Sequence, residues 1–243
     1  MNTLTVAASH RHAEHHPLPM ALDLLGNLLR YPGPEFGDLL AHARETIESL
    51  PLVAFSESIG SLTTDAREEL YTATFDVTPR CVPYASIHLF GEENFKRGEF
   101  MAALHHQYET HGFDSNGELP DHIGNLLRYA ATLEDPERRE LVEFCILGPL
   151  GKISAALPED NPYRHLLAAA DQILRSAYPG IEPALSPIEQ MRRHGAECPT
   201  VTATGCSCGP IEDGAPASAG VLEGNDFPYT PTEVGAPMQT ASF

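Results

Sequence analysis

The segment Glu118-Leu119-Pro120-Asp121-His122 packs the most chemistry into the fewest residues of this chain. A carboxylate beside an imidazole could do general acid–base work, as in a hydrolase. Adjacent helical residues point about 100° apart, however, so Asp121 and His122 are not an orienting pair by default. Pro120 suits a first helical position. Asp121 in that first turn would then simply favour the helix dipole, and His122 there would stay neutral. Both the catalytic and the structural reading stand at this point.

Metal chemistry has two candidate sites. His194, Cys198, Cys206 and Cys208 offer soft ligands, but their spacing is irregular and Gly- and Pro-rich, unlike the short paired spacings zinc prefers. Flexible exposed thiols are the plainer reading. The arm holding His10, His12, His15 and His16 is a compositional tract of the kind that can bind metal, or a disordered arm. A small metal-handling protein therefore stays open beside the hydrolase. No Gly-rich phosphate loop, nucleophile elbow, H-E-x-x-H or paired CxxC is present, which removes most common enzyme classes. His105-His106 and Glu92-Glu93 carry little information. Tyr71, Phe75 and Tyr108 sit at helical spacing and suit a core better than a cofactor box.

Composition narrows the partners. The 243 residues carry 15 Lys+Arg against 34 Asp+Glu, a formal charge of -19. Such a surface repels phosphate backbones and anionic lipid and favours a basic or weakly charged partner, so neither nucleic acid nor a membrane surface is expected. Trp is absent, which disfavours base-stacking and carbohydrate platforms. No apolar run is long enough to span a bilayer. Residues 1–16 lack a basic region followed by an apolar segment, so no secretory signal is expected. Five cysteines without a regular framework fit reduced thiols in a cytoplasm.

The elements that must position these residues are helical. Apolar residues recur with a helical period from residue 17 to 180 and nowhere alternate as in a strand. Met20, Leu24 and Leu28 open the series, stopped by Tyr31-Pro32-Gly33-Pro34. A second run from Phe36 to Ile47 should stop at Pro51. Thr64 suits an N-cap, and Leu70, Tyr71, Thr74 and Phe75 share the face of the helix it opens. Asn94 and Pro120 should open two more. A run from Asp135-Pro136 should kink or break at Gly148-Pro149. Asn161-Pro162 gives the clearest start, to a run through Ala177. The expectation is an all-α fold, a single bundle of about seven to nine helices over residues 17–180. Residues 1–16 and 181–243 are expected as disordered tails, and the latter, rich in Pro and Gly, as dispensable to the fold.

From Glu69 to Leu133 the chain reads E-L-Y-T-A-T-F-D-V-T-P, then V-P-Y-A-S-I-H-L-F-G-E-E-N-F-K-R-G, then Q-Y-E-T-H-G-F, then G-E-L-P-D-H-I-G-N-L-L-R-Y-A-A-T-L. This order and spacing resembles the TorD/NarJ family of redox-enzyme maturation proteins, and within it most nearly the nitrate reductase delta subunit, over roughly residues 18–178. The two prolines of the Thr78–Ser86 link depart from the plainer family pattern. The resemblance implies an all-helical cytoplasmic chaperone without catalytic residues, resident metal or cofactor. It implies binding of the apo catalytic subunit of a molybdenum enzyme, by default a nitrate reductase. The chaperone would engage the client's N-terminal or twin-arginine leader while the molybdenum cofactor is inserted, with the cofactor delivery machinery as a further partner. Carried over, the partner-binding residues are Tyr71, Phe75 and Asp76 at the first motif and Asp121 and His122 at the second. Tyr71 and Phe75 as plain core remains the alternative.

Overall fold

The computed structural model describes residues 18–76 and 81–196. The helices in chain order are α1 (Leu18–Leu28), α2 (Phe36–Thr46), α3 (Leu50–Gly60), α4 (Thr64–Phe75), α5 (Ala85–Phe90), α6 (Lys96–Thr110), α7 (Ile123–Thr132), α8 (Glu137–Leu141), α9 (Leu147–Ala156), α10 (Tyr163–Ala177) and α11 (Pro187–Ala196). A π turn, Val142–Ile146, joins α8 directly to α9, so the three form one rod. The described residues contain no strand, only an isolated antiparallel bridge between Tyr84 and His122. The all-helical expectation holds. Counting the rod once, the described part of residues 17–180 contains nine helices.

The tightest packing in the bundle joins α1 to α7. A Cβ added to Gly26 would meet the Gly124 carbonyl oxygen at 2.6 Å, and one added to Gly124 would meet that of Gly26 at 2.7 Å. Only glycines allow two helix backbones this close. Leu22, Leu25 and Leu28 of α1 are sealed against Ile123, Leu126 and Leu127 of α7 in one continuous core. The near-ideal apolar period of α10 lays it along α3 and against α1 and α9. Phe55, Tyr163, Phe75 and Tyr71 meet there in a chain of tilted and edge-on ring contacts. Each such ring removes a large apolar area from water, worth about 1.5–3 kcal/mol.

Several local expectations need correction. Pro51 does not end α2, which stops at Thr46; it lies in the first turn of α3, where a missing N–H costs nothing, and Ser49 caps that helix. Thr63, not Thr64, caps α4 through a bond from the Ala66 N–H at 3.3 Å. Gly148-Pro149 does not break its helix, because the π turn ahead of it shifts the hydrogen-bond register and Pro149 falls in the first turn of α9. Pro120 does not begin α7. Residues 119–122 form a turn instead, the His122 N–H donating to the Leu119 carbonyl at 3.1 Å, and a single bridge pairs His122 with Tyr84 through the Ile123 N–H to the Pro83 carbonyl and the Ala85 N–H to the Asp121 carbonyl, both at 2.8 Å.

The boundary at residue 180 also shifts. Ile181 and Ser186 are buried, the Ala184 N–H donates to the Glu143 carbonyl at 3.0 Å, and α11 follows. Ser186-Pro187-Ile188-Glu189 supplies the Glu half of a capping box. The Ser186 N–H and hydroxyl both donate to Glu189 Oε2, at 2.9 and 2.7 Å. Local capping therefore extends order into a stretch whose composition reads as tail. The His-rich arm, residues 1–16, and Cys198, Cys206 and Cys208 lie outside the described residues.

Candidate functional site

The two sequence motifs meet at one end of α5. The α5 helix is short and its first turn needs an acceptor, which Asp121 supplies from another part of the chain. Its Oδ2 accepts the Ser86 N–H at 3.3 Å and the Ser86 hydroxyl at 2.5 Å. Ser86 Oγ in turn accepts from Arg97 Nε on α6 at 3.1 Å, and Arg97 also donates to the Glu92 carbonyl at 2.6 Å. Asp121 is fully buried. It ties the entry of α7 to the start of α5 and, through Ser86, to α6.

His122 is the N-cap of α7, outside the helix proper. Its Nδ1 accepts the Gly124 N–H at 3.1 Å, which requires the neutral ring. Burial, and next the Arg30 guanidinium, push its pKa from 6.5 down to about 3. The imidazole is thus a neutral, inaccessible cap. Neither Asp121 nor His122, both carried over as partner-binding residues, reaches the surface in this structure. The turn at residues 119–122 and the bridge from His122 to Tyr84 direct them inward. The loop before them is held from below, where Tyr108 donates to the Pro120 carbonyl at 2.7 Å and Asn125 to that of Leu119 at 3.1 Å.

The first motif divides. Tyr71 and Phe75 are buried in the aromatic cluster around Tyr163, which is the plain-core alternative. Asp76, which follows the last residue of α4, is exposed. Partial burial, and then nearby Glu118, raise its carboxyl pKa. Glu118 Oε1 accepts the Tyr84 hydroxyl at 3.4 Å and the Leu119 N–H at 2.8 Å. The Tyr84 ring lies 5.8 Å from that of His122, and burial followed by Glu118 lifts its phenol to about 12. The exposed ring of Tyr31 stands edge-on to Tyr71 at 5.4 Å, near Glu68 and Asp76.

These contacts assemble one surface patch. Tyr31 and Tyr84 supply half-open aromatic area, and Glu68, Asp76 and Glu118 supply negative charge. Leu119, next to Glu118, is 43% exposed. A cation bound beside Asp76 would relieve the burial and the Glu118 charge that raise its pKa. Beneath the patch, Tyr71, Asp121 and His122 hold its pieces in place. Sequence reasoning missed Tyr31, Tyr84, Ser86 and Glu118 as site residues. Tyr84, Ser86 and Glu118 stand inside the motifs, but no spacing rule says that a segment near 84 pairs with one near 122. Among the described residues, no three His, Cys, Asp or Glu side chains are grouped to hold a metal.

The described residues thus form an all-helical body with an acidic and aromatic surface patch. The nitrate reductase delta subunit family model matches residues 38–172, more than half of the chain, and the chain belongs to this family. A Bacillus subtilis (strain 168) protein assigned as the nitrate reductase molybdenum cofactor assembly chaperone NarJ is 28% identical over 151 residues, covering 59% of this chain and 82% of that protein. A crystal structure from Archaeoglobus fulgidus, assigned as a redox enzyme maturation protein, covers 69% of this chain and 99% of its own at 18% identity and a TM-score of 0.49.

Proposed function

We propose that this protein is a molybdenum cofactor assembly chaperone for a nitrate reductase, and that it binds the apo catalytic subunit through that subunit's N-terminal leader region. Family membership over residues 38–172 carries the chaperone reading, and the name of the Bacillus subtilis relative agrees with it. The patch of Tyr31, Tyr84, Asp76 and Glu118 supports the leader reading. A basic, partly apolar peptide can cover the rings with its apolar face and set its cations against the carboxylates. Holding the immature client and releasing the mature one stabilises the former by mass action and needs no catalytic group. The work belongs in the cytoplasm, where the cofactor is inserted. No helix among the described residues is long and apolar enough to cross a membrane.

A hydrolase built on Asp121 and His122 is disfavoured by the burial of both and by a histidine that stays neutral to about pH 3. The test is a titration of the client's leader peptide against the full chain at low and high salt, with an Asp76→Asn/Glu118→Gln variant beside it. Affinity should fall roughly tenfold as salt screens the rim, and the variant should lose about as much at low salt. Binding that ignores both salt and substitution would remove the patch from the leader reading.

A further inference from the structure

The helix α11 has no part in the site described above, yet its first turn is firmly placed and its next residues, Gln190 to Arg193, are exposed. Lys152 Nζ meets Glu189 Oε1 at 2.9 Å and donates to the His88 carbonyl of α5 at 3.0 Å. Ile188 rests on Gly91 just past α5, where an added Cβ would come within 3.0 Å of its Cδ1. These contacts fix the first turn of α11. Beyond them Gln190, Met191, Arg192 and Arg193 are exposed one after another, so the helix projects from the body. Met191 is 53% exposed. In a chain of net charge -19, a projecting turn with two adjacent arginines beside an open methionine is unlike the rest of the surface.

Its chemistry is the complement of the patch. Met191 offers flexible apolar contact suited to aromatic edges. The guanidinium groups match carboxylates such as Asp76 and Glu118 and can also stack on tyrosine rings. Among the described residues no ion pair joins Arg192 or Arg193 to Asp76 or Glu118, and the ion pairs present lie elsewhere. A second copy can satisfy both. If each molecule gives its arm to the other's patch, the pair closes with two-fold symmetry and leaves neither surface open.

We propose that the projecting end of α11, carried by Met191, Arg192 and Arg193, docks on the acidic tyrosine patch of a second copy of this chain. The client-free protein then self-associates and covers its own patch. That this patch is also where a client leader binds rests on the function proposed above, and a leader would therefore compete with the arm. Competition of this kind keeps an exposed acidic and aromatic surface occupied until the intended ligand arrives.

Sedimentation velocity of the full chain over a concentration series tests the docking directly. At low salt a dimer should form and weaken as salt rises. Arg192→Glu/Arg193→Glu should weaken it at least tenfold while the circular dichroism spectrum stays unchanged. Mixing that variant with an Asp76→Arg/Glu118→Arg chain should restore a heterodimer, because the swapped charges again match. A chain that stays monomeric throughout, or a dimer indifferent to the arm substitutions, would overturn the proposal. A leader-peptide titration on the Arg192→Glu/Arg193→Glu chain separates the two readings. If the arm competes, the leader binds this chain at least as tightly as wild type. If self-association behaves as described but no leader binds, the docking stands and the leader reading falls.

Discussion

At the end of α4, Tyr71 and Phe75 turn inward and Asp76 turns out to solvent. At the entry to α7, Asp121 and His122 both turn inward and are sealed. The two motifs are equally dense in functional residue types, yet Asp76 of the first is exposed while Asp121 and His122 of the second are buried. The difference comes from the backbone each one follows. A helix end exposes whatever comes next in its turn. A bridged pair, such as residues 83–85 with 121–123, has its groups committed on both sides. Asp121 and His122 of the second motif form the buried mount, and under the function proposed above Asp76, with Tyr31, Tyr84 and Glu118, is the contact.

The broadest test of this division leaves both motifs intact and attacks the crossing beneath them. Gly124→Ala would push a methyl to 2.7 Å from the Gly26 carbonyl oxygen and 3.1 Å from His122 Nδ1. Forced backbone separation of this kind costs about 1–3 kcal/mol, occasionally more. The urea midpoint should drop accordingly, while leader affinity per folded molecule changes little. A Gly124→Ala protein with normal stability would mean that α1 and α7 are not locked as tightly as their backbones indicate.

Asp121→Ala compared with Asp76→Asn tests the division itself. Asp121→Ala strands the Ser86 N–H and the Ser86–Arg97 pair, and losing a hydrogen bond to a charged group costs about 1.5–3 kcal/mol. Asp76→Asn sits in solvent and should stay within about 0.5 kcal/mol of wild type. Leader affinity should show the reverse pattern. If Asp121→Ala melts normally but fails to bind leader, the assignment of mount and contact is the wrong way round.

Acid titration offers a graded test of the same buried mount. An unfolded chain takes up a proton on His122 as pH falls through 6.5, whereas the folded chain resists until about 3. The unfolded state therefore binds more protons across that window, and stability falls as pH falls through it. His88 shifts in the same direction, chiefly through burial. A decline on the order of 4–5 kcal/mol should build up in melts taken between those limits. In His122→Asn, which keeps a capping side chain that cannot titrate here, the decline should be shallower.

How much of this was legible depended on whether a neighbour in sequence or a neighbour in space decided the outcome. The α10 helix was readable because Asn161, Pro162 and its apolar period are all local, and Asn161 Oδ1 indeed accepts the Tyr163 N–H at 3.0 Å. Of the site, the two motifs and their candidate residues were readable, but not which of them would be buried. Asp121 depends on Ser86, 35 residues away, and Tyr84 on Glu118, 34 away, and no period or propensity carries such pairings. The α11 helix was lost for another reason. Its half capping box is local and visible, but the surrounding Pro and Gly outweighed it.

That helix is the intermediate case, anchored like the mount and open like the contact, and it gives the smallest expected effect. Glu189 holds its charge well below the ordinary 4.5, at about 2, because the Ser186 hydroxyl, Lys152 and the Ser186 N–H all favour the carboxylate. Its folded pKa lies below its unfolded value, so its contribution is complete above 4.5 and is lost as pH falls toward 2. The pair with Lys152 is about one-third exposed on each side, so solvent screening limits that contribution to roughly 0.5–1 kcal/mol. An effect this small will not move a global melt by much, but it can release one terminal helix. Amide protection factors, referred to the intrinsic rate at each pH, should fall in residues 187–196 in acid before those of α10 do, and Lys152→Met should lower them already at neutral pH. Exchange in α11 that keeps pace with α10 under both conditions would make the helix part of the cooperative bundle, with no separately anchored arm.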